Sequence, residues 1–279
     1  MTLDFFLSGV LQGLVLAFVA YGMMIPFRLL RFSDLTAEGA YPLSGAVCAT
    51  LISWKWPWAG AISLSILASG ILSVSTAFLY LKFRIETLLA GIILSIMSYS
   101  VSLRIMGKPN IPLFAQTSLF YEDLLVNIAL LLGLLLLCIV PFYFFLKTDF
   151  GLSFRAVGLN AVFAARQSLP VARYIYLGFF LSGCFLGLAG SLMVQLQHYM
   201  DISMGTGIVI HGLASLMIGE SLVSQKTLKG QFLAPLLGSF VYQQIQGMAL
   251  MAGLAASDLK FFTGALVLCV ISWQYKKIK

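Results

Sequence analysis

Gly151-Leu-Ser-Phe-Arg155-Ala-Val-Gly158-Leu-Asn160-Ala-Val-Phe-Ala164-Ala165-Arg166-Gln-Ser-Leu-Pro170-Val-Ala-Arg173 is a polar, basic island between two long apolar runs, 124–146 and 174–196. The runs on either side decide the fold class. Each is continuously apolar over more than the roughly 20 residues that a helix needs to cross a bilayer, and neither alternates as a barrel strand does. Further outward, 5–27, 41–54, 58–81, 87–103, 206–223, 231–256 and 260–275 are apolar too. Hydrophobic residues make up 60% of the 279 and charged residues 10%, with a mean hydropathy of +0.98. A water-soluble core cannot absorb that much apolar surface, and in lipid each backbone polar group must be satisfied within the chain. The expected fold is all-α: a polytopic integral membrane helical bundle of about nine spans (eight to ten), one transmembrane domain over 1–279 with a polar loop at 147–173.

Basic residues set the orientation, because Lys and Arg concentrate on the cytoplasmic side. With nine crossings and the N-terminus outside, 13 of the 17 basic residues fall inside and four (Lys55, Arg104, Lys108, Lys260) outside. The run 41–54 is short for a span. If it re-entered instead of crossing, the split would become six inside against 11 outside. Crossing is therefore the better reading, as a broken helix completed by neighbouring polypeptide. The island becomes cytoplasmic and the C-terminus ends inside.

The net charge of +7 requires no nucleic-acid partner, since the excess sits on inner loops beside lipid headgroups. Cys48, Cys138, Cys184 and Cys269 lie in separate apolar runs and suggest neither metal spacing nor a disulfide framework. The opening Met-Thr-Leu-Asp lacks the basic region of a cleavable signal, so the first span is expected to be retained. No HExxH, GxSxG or phosphate loop GxxxxGK[ST] occurs. No catalytic or metal site is expected.

Several polar groups invite a functional reading beside a structural one. Asp34, Thr36 and Glu38 precede the short second span, where they either cap a helix or line an unwound stretch of a translocation path. His211 lies within a span, as a hydrogen-bonded interior residue or a proton relay. Gln243, Gln244 and Gln246 need partners in mid-membrane, either another helix or a pore. Glu220 is expected to pair with Lys226 or Lys229. Gly183, Gly187 and Gly190 form a small-residue face for close helix packing. Pro109 and Pro112 mark a turn in the outer segment 104–123, as a surface helix or docking lip.

Phe154-Arg155-Ala-Val-Gly158-Leu-Asn160 through Ala164-Ala165, followed by Leu181-Ser-Gly183-Cys-Phe-Leu-Gly187-Leu-Ala189-Gly190, resembles permease subunits of ABC importers of the ribose and branched-chain amino acid type. Their pattern runs R-A-x-G-x-N-x-x-A-A-x-x-x-G-I, then S-G-x-x-x-G-L-A-G. Met204-Gly-Thr-Gly207 through Gly219, with Pro235-Leu-Leu-Gly238, matches a second family segment. Asp34-Leu-Thr36-x-Glu38-Gly39-x-Tyr41-Pro42 and Arg104-Ile-Met-Gly107-Lys-Pro109 resemble a narrower branch linked to tryptophan or tyrosine uptake.

The resemblance implies a type II-like importer permease in a bacterial inner membrane. It would dimerise with itself and bind a cytoplasmic ABC ATPase subunit that carries ATP and Mg. An extracytoplasmic solute-binding protein would deliver the solute, and the permease itself would be non-catalytic. Arg155, Ala156, Gly158, Asn160, Ala164, Ala165 and Arg166 would then form the coupling segment, a ridge of small residues with Arg155 and Arg166 as charge partners. Asp34, Thr36, Glu38, His211, Gln243 and Gln246 would line the path. Leu169-Pro170 stands where the family has Gly-Ile, so the helix is expected to stop there. The alternative is an ion-coupled secondary transporter, which would want acids in mid-span.

Overall fold

A computed structural model describes residues 2–114, 118–121, 123–225, 227–253 and 258–278. Glu122, Lys226, Lys279 and the expected end of the eighth span at 256 lie outside them, and with Lys226 goes one of the two pairings foreseen for Glu220. The chain is mostly helical. In order come α1 (Thr2–Met24) with a π-helical continuation Ile25–Leu30, α2 (Ala37–Ser53), α3 (Trp58–Phe83) and α4 (Thr87–Met106). After strand β1 (Asn110–Pro112) follow α5 (Leu124–Lys147), α6 (Asp149–Leu159), α7 (Ala161–Arg166) and α8 (Val171–Gln197). Strand β2 (Tyr199–Asp201), a 3₁₀ turn Ile202–Gly205, α9 (Ile208–Leu222), α10 (Leu228–Met251) and α11 (Leu259–Ile278) complete the order.

Each expected apolar run is occupied by a helix. Among the described residues, six helical stretches are long and apolar enough to cross a membrane: Phe5–Leu30, Trp58–Phe83, Thr87–Met106, Leu124–Lys147, Val171–Gln197 and Ile202–Leu222. The sequence reading missed the antiparallel pairing of β1 with β2, Asn110 opposite Asp201 and Pro112 opposite Tyr199. Three-residue strands carry too short a pattern to be read as period two. Pro109 and Pro112 belong to this ribbon. Gly107, in the left-handed region at φ +67°, ends α4 just before it.

The contacts resolve into two compact units. One comprises Tyr21–Phe120 and Leu137–Val209. Its centre is α2, with 13 of 17 residues buried, so it is enclosed by protein. Small residues let α8 approach: side chains added at Gly183 and Gly187 would meet Ser65, Ser69 and Gly70 of α3, and one at Gly190 would meet the Tyr41 carbonyl of α2. Ser69 donates to the Gly183 carbonyl at 2.7 Å and Ser182 to the Gly22 carbonyl at 2.8 Å. Such interhelical bonds contribute about 0.6 kcal/mol each in a membrane. Leu67, Ile71, Ile93, Ile96 and Met97 on the outer faces of α3 and α4 are exposed, as suits lipid.

The other unit comprises Met1–Ala20, Tyr121–Leu136 and Ile210–Lys279. Here α9 and α10 touch backbone to backbone, Gly219 against Ala234 and Gly238 against the Ser215 carbonyl. Gln243 donates to Gln12 at 2.6 Å and Gln244 to the Phe6 carbonyl at 3.3 Å. These amides therefore join α10 to α1.

Candidate functional site

The island folds as two short helices with a sharp break, and its motif residues explain the break. Thr148 caps α6 by accepting from the Gly151 amide at 3.2 Å. Asn160 leaves the helix with extended backbone (φ −156°, ψ 96°) and caps α7 by accepting from the Phe163 amide at 2.9 Å. The inner face of α6 carries Gly151, Phe154 and Val157, all buried, at a helical spacing. Gly158 stands directly on the Leu29 carbonyl at the π-helical end of α1, and Ala164 is buried.

The small residues Gly158 and Ala164 therefore face inward and hold the island down. The exposed ridge is larger and more apolar than the sequence suggested: Leu152, Leu159, Val162 and Phe163 are 58–66% exposed, beside exposed Ala165 and Arg166. Ala156 and Arg155 are half-buried, and the Arg155 Nε is buried without a hydrogen-bond partner. Pro170 does not end α7, which stops at Arg166; it precedes α8 as its N-cap residue.

Asp34 and Thr36 lie in the connection before α2, and Glu38 in its first turn. Asp34 is 1% exposed. It accepts from the Thr36 amide at 2.8 Å and from the Thr36 hydroxyl, which also meets the Thr76 hydroxyl at 2.6 Å. Burial pushes the Asp34 carboxyl up to about 6, with the Thr36 hydrogen bonds opposing. Asp34 thus braces the start of α2 against α3.

Glu38 faces a different environment, a cavity of about 360 Å³ lined also by Pro42, Ser95, Ser98, Ser102, Ser203 and Thr206. It is half-buried and accepts from the Gly207 amide at 3.3 Å. Sequence reasoning did not single out the serines, although their spacing at 95, 98 and 102 (i, i+3, i+7) inside an apolar run is the signal for a polar stripe on one helix face.

In the other unit, His211 Nδ1 meets the Tyr242 hydroxyl at 2.5 Å, and Gln246 donates to the same hydroxyl at 3.0 Å. Tyr242 is fully buried. His211 and Gln246 thus share a hydrogen-bonded cluster, while Gln243 bonds elsewhere, to Gln12.

Against known proteins, residues 5–271 match the family described as branched-chain amino acid transport system / permease component. A tyrosine transport system permease protein of Clostridioides difficile (strain R20291) is 32% identical over 266 residues, covering 95% of this chain and 90% of its own. An uncharacterized protein of Rickettsia prowazekii (strain Madrid E) is 28% identical, covering 97% of this chain and 98% of its own. The autoinducer 2 import system permease protein LsrC of Escherichia coli is 27% identical over half of the chain and 41% of its own. Among solved structures, PsaBC from Streptococcus pneumoniae superposes with a TM-score of 0.55 at 16% identity, covering 97% of this chain and 95% of that one. An inward-facing metal-chelate type ABC transporter superposes at 0.54 and 18% identity, covering 99% and 85%. At those identities the structures speak for the fold alone. With the family pattern running nearly end to end, this chain belongs to the family described as branched-chain amino acid transport system / permease component.

Proposed function

We propose that this chain is the membrane-spanning half of an ATP-binding cassette importer for a small solute, an amino acid by analogy with its tyrosine-transport relative. The family match over 5–271 carries the reading. The permease contributes no catalytic group; ATP and Mg stay on a cytoplasmic ATPase subunit that seats on the ridge of α6 and α7. Two copies of the permease dimerise in the lipid of the inner membrane, and an extracytoplasmic binding protein delivers the solute. The chain crosses nine times with its N-terminus outside, as the 13-to-4 partition of basic residues supports. Glu38 with its cavity and the His211–Tyr242–Gln246 cluster belong to the path, whereas Asp34 and Thr36 stiffen its wall.

The ridge has the chemistry for docking: exposed apolar side chains rimmed by Arg166 and Arg173, on a helix pair capped at both starts. Movement of the ATPases is transmitted through Gly158, which abuts Leu29 in the π-helical continuation of α1, and Phe154, which packs on Gly178 in α8. Affinity purification from native membranes in mild detergent tests this. An ATP-binding subunit should accompany the wild-type chain and be lost on Arg155→Glu or Phe163→Asp. An ATPase-free protein that still transports would overturn the reading. Gly158→Trp is no docking probe, because its side chain would displace the Leu29 backbone.

A further inference from the structure

The turn between α2 and α3 runs Trp54-Lys55-Trp56-Pro57-Trp58. The enclosed helix α2 emerges here, for its last residue, Ser53, is its one exposed residue. All three indoles are open, Trp54 by 69%, Trp56 by 48% and Trp58 by 40%. The backbone beneath them is fixed. The Lys55 amide donates to the Ile52 carbonyl at 2.9 Å and the Trp56 amide to the Leu51 carbonyl at 3.1 Å, the pair of bonds that closes a helix around a left-handed residue. That residue is Lys55, at φ +61°, where glycine is usual. A cation at this point complements the C-terminal end of the helix, but that leaves three indoles in the open unexplained. The Lys55 ammonium takes no ion pair or hydrogen bond among the described residues. It is also one of the four basic residues on the side that the partition of charge leaves poor in them.

The first turns of α3 indicate what this segment meets. Gly60, Leu64, Leu67 and Ile71 share one helix face, and the three larger ones are exposed. The Trp56 ring stands at the head of that stripe, its Cε3 atom 3.7 Å from where a side chain on Gly60 would begin. The turn therefore continues a face that meets acyl chains, at the level where the helices end. Indoles settle at that level, with the ring in the apolar boundary and the N–H toward polar groups. We propose that the turn binds an anionic phospholipid, with the Lys55 ammonium on the headgroup phosphate and the indoles of Trp54, Trp56 and Trp58 around its glycerol region. The free cation selects a phosphate. Continuity with the Gly60–Ile71 stripe selects a lipid over a docking protein. The proposal needs only the membrane-spanning fold and is independent of ATPase coupling.

Three of the four tryptophans of the chain lie in this turn, so Trp273→Phe makes intrinsic fluorescence report on the turn alone. That variant of the full chain is reconstituted in liposomes of one fixed phosphatidylglycerol and phosphatidylcholine composition. Acyl-chain bromine, a contact quencher, is carried by one lipid or by the other. Bromine on phosphatidylglycerol should quench as if that lipid were enriched about five-fold around the turn, the worth of one lysine at an anionic surface. Lys55→Arg should keep the preference. Lys55→Gly should abolish it while suiting the left-handed backbone, so that loss of folding does not confuse the result. Equal quenching by the two brominated lipids overturns the proposal, as does a preference that survives Lys55→Gly. Quenching by aqueous iodide with none by either brominated lipid also overturns it, and would assign the indoles to a protein partner instead.

Discussion

Asp34 shows how one buried carboxyl couples stability to pH. Its folded value of about 6 stands above the ordinary 3.8, so the folded state holds the proton more tightly than the unfolded state. Stability is therefore greatest below about pH 4, falls as pH rises through 4 to 6, and stays lower above that. Two pKa units correspond to about 3 kcal/mol at most. Asp34→Asn removes the titration and should flatten this dependence, raising the thermal midpoint above pH 7 relative to wild type and leaving it unchanged or lower at pH 4. Thermal unfolding in nanodiscs at several pH values checks it. A midpoint gap between the two proteins that does not vary with pH would show that Asp34 is not the titrating group. The pair Asp34 and Glu38 was legible as a polar entry to α2, but its division of labour was not. Only packing reveals that Asp34 turns into Thr36 while Glu38, four residues on, opens on a cavity.

At the scale of elements, two contacts make opposite predictions. On α8, a side chain at Gly190 would strike Ser44 and the Tyr41 carbonyl, both fixed parts of α2. Gly190→Leu should cost several kcal/mol, since overpacking typically costs 1–3 kcal/mol and here meets backbone. The readout is loss of the monodisperse peak in size-exclusion chromatography. On α7, Val162 is 66% exposed, so Val162→Asp should leave that peak intact and reduce ATPase retention at least ten-fold. The glycine face of α8 was readable from its spacing. The orientation of the island was not, because Gly158 and Ala164 suit a ridge and a close contact equally well; the Leu29 carbonyl decides between them. Asn160 was visible as a motif letter, and its role emerged only from the cap it makes on Phe163.

For the whole molecule, the proposed topology rests on apolar run lengths and the partition of basic residues, both of which a sequence displays openly. In a cysteine-free background, Ser168→Cys should react with a membrane-impermeant maleimide only from the cytoplasm, and Lys108→Cys only from outside. The reverse pattern would invert the proposed orientation. What stayed hidden was the long-range partnering: β1 lies almost 90 residues before β2, and nothing in either tripeptide announces the other. The start of α2 at Ala37 instead of 41 was equally hidden, because Ala, Glu and Gly look like loop until neighbouring helices enclose them.

That enclosure bears on how the chain enters the bilayer. A 17-residue segment built largely from Ala, Gly, Ser and Thr has little hydrophobicity with which to leave the insertion channel alone. It is instead expected to wait at the channel until α3, longer and more apolar, is synthesised behind it, so that the two partition as a hairpin. With α1 already anchoring the chain, α2 should still crosslink to the insertion channel in a nascent chain arrested before α3, and should no longer do so in one arrested after α4.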